Sequence, residues 1–487
     1  MYFQILVMIR EKKGRQTMKK ILVRAGMNPW ELYSPDEVLS RNLIGNNSGN
    51  LIYAYGIFQA LETDKVTLEA DYYQAAPDKA SQISREYGAY VIPLADAFRR
   101  DFIPHLVQLT KLVQKLTIPC IVPGVGLRAP YEPNLKEKRP FDKEVKAFVK
   151  AVLNHSSMIG VRGEITGEYL KKLGFREEMD YRVIGCPSMY ARGMKIEVKK
   201  PVLTEQSKIN VNYSVLSPTE AIRFLNRILE ERTYTWLTAQ RINELKLLYL
   251  GTSYRHQQDK PEYPTSICDS VYQRNQVRFF INAVQWIESM KEMDFSIGGR
   301  MHGNIAAWIA GTPALFFPHD GRMRELVEFH RLPSVPAQET GKLESLEEAI
   351  EKADWRSAKL CQELNFRRYM DFLAMNGLDS KLGEVSSPIN PWKNKFREKS
   401  APDCLHSGQT DNRLEKNDGK RQWVDSVVNL SSLEETAARW EHYEEVNLAN
   451  KNKTIRELRK QLQLYEPSSL KKNVGRLALR LVGKMKK

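Results

Sequence analysis

From Lys19 to about His330, short apolar runs rich in Val and Ile alternate with longer segments of helical period, and no other feature narrows the fold as much. Strands separated by whole helices pair in parallel through crossover connections. In the first half the strand candidates are Ile21–Arg24, Val66–Glu69, Tyr90–Pro93, Ile118–Pro123, Met158–Arg162 and Arg182–Gly185. Helices are predicted at Asn50–Leu61, Pro104–Leu116, Asp142–Leu153 and Glu164–Leu173, the last stopped by Gly174.

A second series comes after the charged, proline-containing stretch Lys195–Lys208 and opens with a strand at Ile209–Val215. Ser217, Pro218, Thr219 and Glu220 supply an N-cap, a first-turn proline and a first-turn acid, which predicts a helix through about Ala239. Strands are predicted at Leu245–Leu250, Phe295–Gly298 and Ala314–Phe317, and helices at Arg274–Met290, Asn304–Ala310 and Arg324–His330. The fold class is therefore α/β, with two Rossmann-like domains at residues 19–195 and 205–345. Helical sequence from Leu343 to Asn376 forms a closure over 346–384, residues 1–18 are an N-terminal extension, and 385–487 are a linker and a basic helical tail. Two such domains leave a cleft between the carboxyl ends of their strands.

Net charge is +15, which at face value suggests an anionic partner. The excess sits at the ends: residues 1–20 carry +5 and residues 390–487 carry +8, leaving +2 for the body between them. A nucleic-acid enzyme with a basic channel loses most of its compositional support, and no nucleic-acid partner is expected. Residues 385–425 read as a disordered linker, and Leu433–Leu464 regains helical period. Residues 471–487 hold seven Lys/Arg and no acid, interleaved with Val and Leu. They read equally as an amphipathic helix for an anionic membrane surface and as a charged tail or protein-docking helix. Five widely spaced cysteines without a CxxC pair indicate a reducing compartment and no zinc site. The first 20 residues lack a small-residue cleavage site, and no apolar run reaches about 18 residues, so a cytoplasmic location is expected.

Asp294–Pro318, DFSIGGRMHGNIAAWIAGTPALFFP, carries the most chemistry. A strand ends at Gly298 and Gly299, then come Arg300, Met301 and His302, and a helix begins near Gly303 and stops at Gly311. On a nearly extended stretch Arg300 and His302 point the same way, toward a helix N-terminus. A guanidinium, an imidazole and a helix dipole suit an anion undergoing proton transfer. A paired arginine and a half-buried, hydrogen-bonded histidine are the plainer account.

This segment resembles the C-terminal signature of the polysaccharide pyruvyl transferase family, in which Arg-x-His-Gly follows a strand and precedes a small-residue helix ending in Gly-x-Pro; here these are Arg300–Gly303 and Gly311–Pro313. Met158–Met189 is similar to the family's first-domain block, Gly45–Leu61 to its opening Asn-x-Gly loop and helix, and Pro123–Gly126 to its glycine-containing strand end. Three acids of the pattern are replaced: Asn50, Gly163 and Cys186 stand where the family usually has Asp. The resemblance implies a GT-B-like arrangement and transfer of a pyruvyl group from phosphoenolpyruvate to a hydroxyl pair of a surface polysaccharide or its lipid-linked precursor, giving a ketal. It also implies donor binding by Arg162, Arg300, Gly303 and Arg322, catalysis by Arg300 and by His302 as general acid, and acceptor binding at Asn47 and Asn50. Phosphoenolpyruvate would be a co-substrate, and no cofactor or metal is called for. The basic tail would hold the enzyme at the inner face of the plasma membrane.

Asn46, Asn47 and Ser48 are equally turn-forming residues before a helix. Cys186, with no evident histidine or helix N-terminus nearby, reads as a small buried thiol rather than a nucleophile. His319 and Asp320 line the cleft or cap the next helix; Tyr249, Tyr254 and His256 are weaker acceptor candidates. Two other functions fit: a GT-B glycosyltransferase using a nucleotide sugar, for which Glu325 is the one candidate ribose acid, and a non-catalytic scaffold acting through 433–487.

Overall fold

Parallel strands dominate the structure, a computed structural model that describes residues 20–197, 199–255, 260–382, 405–406, 439, 442–450, 452 and 456. The N-terminal extension 1–18 and the basic segment 471–487 lie outside the described residues, as do His256 and most of the linker and tail.

In the first domain, β1 (Lys20–Val23), β2 (Thr67–Ala70), β3 (Ala89–Val91) and β4 (Cys120–Ile121) form a parallel sheet in the order β2-β1-β3-β4. The pair β5 (Ile159–Val161) and β6 (Tyr181–Val183) extends it, because Gly160 N donates to Val122 O (2.8 Å) and Val125 N to Gly160 O (3.0 Å). The helices are α1 (Pro35–Arg41), α2 (Gly49–Leu61), α3 (Ala80–Glu86), α4 (Ile103–Lys115), α5 (Asp142–Leu153) and α6 (Glu164–Lys172). Two of them, α1 and α3, have no counterpart in the sequence reading; α1 is nucleated by a capping box, Ser34 with Glu37.

The second sheet runs β11-β10-β7-β8-β9-β12, with β7 (Ile209–Asn212), β8 (Thr235–Ala239), β9 (Val277–Phe279), β10 (Phe295–Gly298) and β11 (Ala314–Phe316) parallel. The strand order reverses between β7 and β10, so the loops after these two strands frame a crevice at their carboxyl ends, where doubly wound sheets bind ligands. The arrangement of two Rossmann-like domains around one cleft is the GT-B-like fold expected.

Three second-domain elements differ from expectation. The helix predicted through Ala239 ends at Glu231 (α7, Thr219–Glu231), and β8 comes next, as the β-branched and aromatic run Thr233–Thr238 warrants. Leu245–Leu250, expected as a strand, lies in α8 (Ile242–Leu250), where Glu244 accepts from the Gln240 and Arg241 amides and Gly251 closes the helix at φ +66°. The helix predicted at Arg274–Met290 splits into a short helical turn, α9 (Ser270–Gln273), the strand β9, and α10 (Ala283–Met290), which the Asn282 side chain caps.

After α11 (Met301–Ala310) and α12 (Gly321–His330), the helix α13 (Leu346–Lys352) packs on the second domain. The long α14 (Ser357–Met375) returns to the first, burying Phe366, Tyr369, Phe372 and Leu373 in the core cluster of that domain, where Tyr369 stacks on Tyr190. Within the segment expected to be disordered, β12 (Leu405–His406) pairs antiparallel with β9. Helical residues 442–450 contact the first domain: His442 Nε2 lies 3.7 Å from Asp36 Oδ2, and Asn450 donates to Ser40. No helix among the described residues is long and apolar enough to cross a membrane.

Candidate active site

Strand β5 delivers Arg162 to the cleft, 2% exposed. Its Nε donates to Gly124 O (3.0 Å), Nη2 lies 3.8 Å from Cys186 Sγ, and the guanidinium stacks 4.7 Å above the Tyr53 ring; no carboxylate is among these contacts. Tyr53, on α2, is held by its hydroxyl, which donates to Pro123 O (2.6 Å) and Gly124 O (2.8 Å). A buried cation held by neutral groups retains its attraction for an anion.

In the second domain the turn after β10 is fixed from below. A Cβ on Gly298 (φ +148°) would sit 2.0 Å from Asn212 O, so only glycine lets the chain pass. Asn212 Oδ1 accepts from Arg300 N (2.7 Å) and its amide donates to Asn304 Oδ1 (2.7 Å), while Asn304 donates to Gly298 O and Leu315 O. Sequence reasoning missed this pair, although asparagines at 210 and 212 inside an otherwise apolar strand were a visible signal.

Arg300 and His302 diverge, contrary to expectation, because the chain becomes helical at Met301. Arg300 turns back into its own domain: Nε donates to Tyr213 O, its charge bears on Tyr263 and His319, and Nη2 is buried without a partner. His302 crosses to the first domain, with Nε2 3.7 Å from Cys186 Sγ and its ring 5.7 Å from that of Tyr53. Burial, then the charges of Arg162 and Arg322, hold the imidazole well below its ordinary range, so it is neutral at neutral pH.

Arg322, at the start of α12, is shared by Asp96 of the first domain (3.2 Å) and Asp320 of the second (3.3 Å). Asp96 also receives Arg99 (2.6 Å) and Arg128 (2.8 Å); burial opposes its ionisation, but Arg322, Arg99 and Arg128 outweigh it and hold the carboxyl far down. Glu325, one turn further along α12, reaches into the first domain, accepting from Thr166 N (2.8 Å) and the Thr166 hydroxyl. It thereby caps α6 from the opposite domain, and burial pushes its carboxyl up to about 8. His319 is buried between the Ser214 and Ser217 hydroxyls and is pushed by burial down to about 4.

The sequence profile of the polysaccharide pyruvyl transferase family matches residues 47–321, which span every residue of this seam but Glu325 and Arg322. The chain belongs to the polysaccharide pyruvyl transferase family. No curated protein matches it. Solved structures similar to it include the UDP-GlcNAc 2-epimerases of Methanocaldococcus jannaschii (10% identity, covering 73% of this chain and 99% of that one, TM-score 0.38) and Neisseria meningitidis (10%, 73% and 100%, TM-score 0.38). Anabaena HepE, in complex with UDP and glucose, is another (14%, 74% and 97%, TM-score 0.37). Likenesses at this level carry no argument about substrate.

In this pyruvyl transferase family member, Arg162, His302 and Arg322 come together, and Arg300 stands on the far side of the turn. Asn47 and Asn50 spend their side chains on the loop before α2: Asn47 Oδ1 accepts from Gly49 N (2.9 Å), and Asn50 donates to Ile44 O and Gly45 O. Gly303 lets Gln240 pack against α11, where a Cβ would lie 2.6 Å from Gln240 Nε2. Tyr249 donates to Asp36 and so ties α8 to α1, and Asp320 caps α12 through Met323 N. The reading of Cys186 as remote from any histidine is corrected. Besides His302, the His330 ring accepts its backbone N–H (3.0 Å), and the thiol lies 2.9 Å from Ser188 Oγ. Among the described residues no group of three or more His, Cys, Asp or Glu is placed to hold a metal ion.

Proposed function

We propose that the protein transfers the pyruvyl group of phosphoenolpyruvate to two hydroxyls of a surface polysaccharide or its lipid-linked precursor, forming a cyclic ketal. The observation that carries this reading is the meeting of Arg162 and Arg322, one from each domain, with the neutral imidazole of His302. Phosphoenolpyruvate presents a phosphate and a carboxylate on three carbons, and buried guanidinium groups bind both in their planar, two-pronged manner. Arg162, in no ion pair among the described residues, takes one anionic group; Arg322 takes the other as Asp96 and Asp320 give way; and the unpartnered Nη2 of Arg300 adds donor capacity from the second domain. His302 is a proton-transfer group at the reacting centre, and Gly303 allows the close packing of the helix that carries it. The acceptor sugar enters from the α2 side, past Asn47 and Asn50, and the basic segment 471–487 keeps the enzyme near a lipid-linked acceptor at an anionic membrane surface.

Titration calorimetry with phosphoenolpyruvate, for the wild type, Arg162→Ala and Arg322→Ala, tests the reading alongside a panel of nucleotide sugars. Saturable donor binding weakened at least about tenfold by either substitution is expected, the loss of one buried charge-assisted contact. Binding of a nucleotide sugar in place of phosphoenolpyruvate would overturn it in favour of glycosyl transfer, and binding of neither would favour a scaffold.

A further inference from the structure

Addition of a hydroxyl across the C2=C3 bond of an enolpyruvyl donor moves two protons in opposite senses, one off the oxygen and one onto C3. His302, neutral as it stands, is suited to the first movement. Its two ring nitrogens are not equally available. A Cβ on Gly49 would lie 3.0 Å from His302 Cβ and 3.3 Å from Nδ1, so Nδ1 faces the start of α2, whereas Nε2 faces Cys186, which in turn lies beside Arg162 Nη2.

The groups that could supply the second proton are few. Tyr53 commits its hydroxyl to Pro123 O and Gly124 O, and Tyr190 donates to Ile184 O (2.7 Å). Glu325, though burial keeps it protonated, has its carboxyl against Thr166, and neither His302 nor Cys186 is among its hydrogen-bond partners. Ser188 carries an alcohol, too weak an acid. Cys186 stands nearest His302 Nε2: it is fully buried, 3.7 Å from that nitrogen and 3.8 Å from Arg162 Nη2, with Ser188 Oγ at 2.9 Å, a contact in which either atom can donate.

Resting on the pyruvyl-transfer reading, we propose that Cys186 is a second catalytic residue, the acid that protonates C3 of the enolpyruvyl donor while His302 takes the proton of the attacking hydroxyl. The hydroxyl oxygen bonds to C2 and its proton passes to Nε2. The C2=C3 electron pair takes the thiol proton, and C3 becomes a methyl group. The thiolate left behind faces the Arg162 guanidinium and the Ser188 hydroxyl, and the imidazolium returns its proton to sulfur across the 3.7 Å contact, which resets both groups. In the second half the other hydroxyl bonds to C2, the C2–O bond to phosphate breaks with its electrons on phosphate, and the hydroxyl proton passes through His302 to the departing phosphate.

Cys186→Ser separates acid from spacer, since serine keeps the size and the hydrogen bonds but not the acidity. Phosphoenolpyruvate binding is measured by calorimetry, and deuterium at C3 of donor and transferred methyl by mass spectrometry in heavy water, with a membrane fraction of the source cells as acceptor. The expected result is donor affinity within about threefold of wild type with deuteration slowed by about 100-fold or more, the lower bound for losing a general acid. Three outcomes overturn the proposal: Cys186→Ser deuterating C3 as fast as the wild type, Cys186→Ser losing donor affinity, or a donor-binding wild type that leaves C3 undeuterated. A wild type that does not bind phosphoenolpyruvate overturns the underlying reading instead.

Discussion

Glu325→Gln should remove the dependence of stability on pH between 6.5 and 8. The Glu325 carboxyl is buried at the domain seam and pushed up to about 8, against an ordinary 4.5 in the unfolded chain. The folded state therefore holds a proton that the unfolded state has released, and the stability this contributes is complete below 4.5 and lost as pH rises through 8. Each pH unit in that window costs roughly 1.4 kcal/mol, tapering as the folded carboxyl begins to ionise, so the wild type should lose about 2 kcal/mol from this group between pH 6.5 and 8. The window is clean of the buried histidines, since His302, His319 and His330 are all held below 6.5 and stay neutral on both sides of the transition. Glutamine can still accept from Thr166 but cannot ionise. Urea unfolding of both proteins at pH 6.5, 7.5 and 8 should show the variant gaining on the wild type by about 2 kcal/mol across the series. A constant difference at all three values would refute the assignment of Glu325 as a protonated cross-domain cap.

Below pH 6.5 the sign reverses: His319 and His330, pushed by burial to about 4 and about 3, contribute stability that is lost as the pH falls. His330→Gln should flatten the acid limb of the unfolding free energy by roughly 1.4 kcal/mol per pH unit between 6 and 4.5. Gly163→Ala places a Cβ 2.5 Å from Glu325 Cβ and 2.9 Å from Glu325 O, pushing α12 off α6; thermal melting should register a loss of about 1–3 kcal/mol, as overpacking costs. Asp96→Asn leaves three arginines without their common carboxylate and should cost about 3 kcal/mol in urea unfolding.

How legible each part of the molecule is in the sequence depends on how local its signal is. The first sheet, strands β7, β10 and β11 of the second, the glycine turn at 298–299 and the helix behind it announce themselves in a few consecutive residues. The errors at β8 and α8 arose where the local signal was mixed: Thr235–Ala239 comes after a helical run with little punctuation, and Leu245–Leu250 is apolar enough for either a buried strand or a buried helix. The direction of Arg300 was misjudged because an extended backbone was assumed across a residue that is already a helix cap. The surroundings of Cys186 were invisible for a different reason: His302 lies 116 positions away, and only the closing of one domain on the other brings them together. Asp96 and Glu325 belong to the same class, since their partners Arg322 and Thr166 are on the opposite domain.

The short strand β12 has a practical consequence. It covers the outer edge of β9, pairing Leu405 with Phe279 and His406 with Arg278. A chain cut after residue 382 would present that edge bare, and an unpaired strand edge is a template on which a neighbouring molecule can add its own strand. Shortened versions prepared to study the basic tail should therefore tend to self-associate, and sedimentation of such a version with vesicles would measure aggregation as well as lipid. A version that keeps residues through 406 and lacks only 407–487 separates the two.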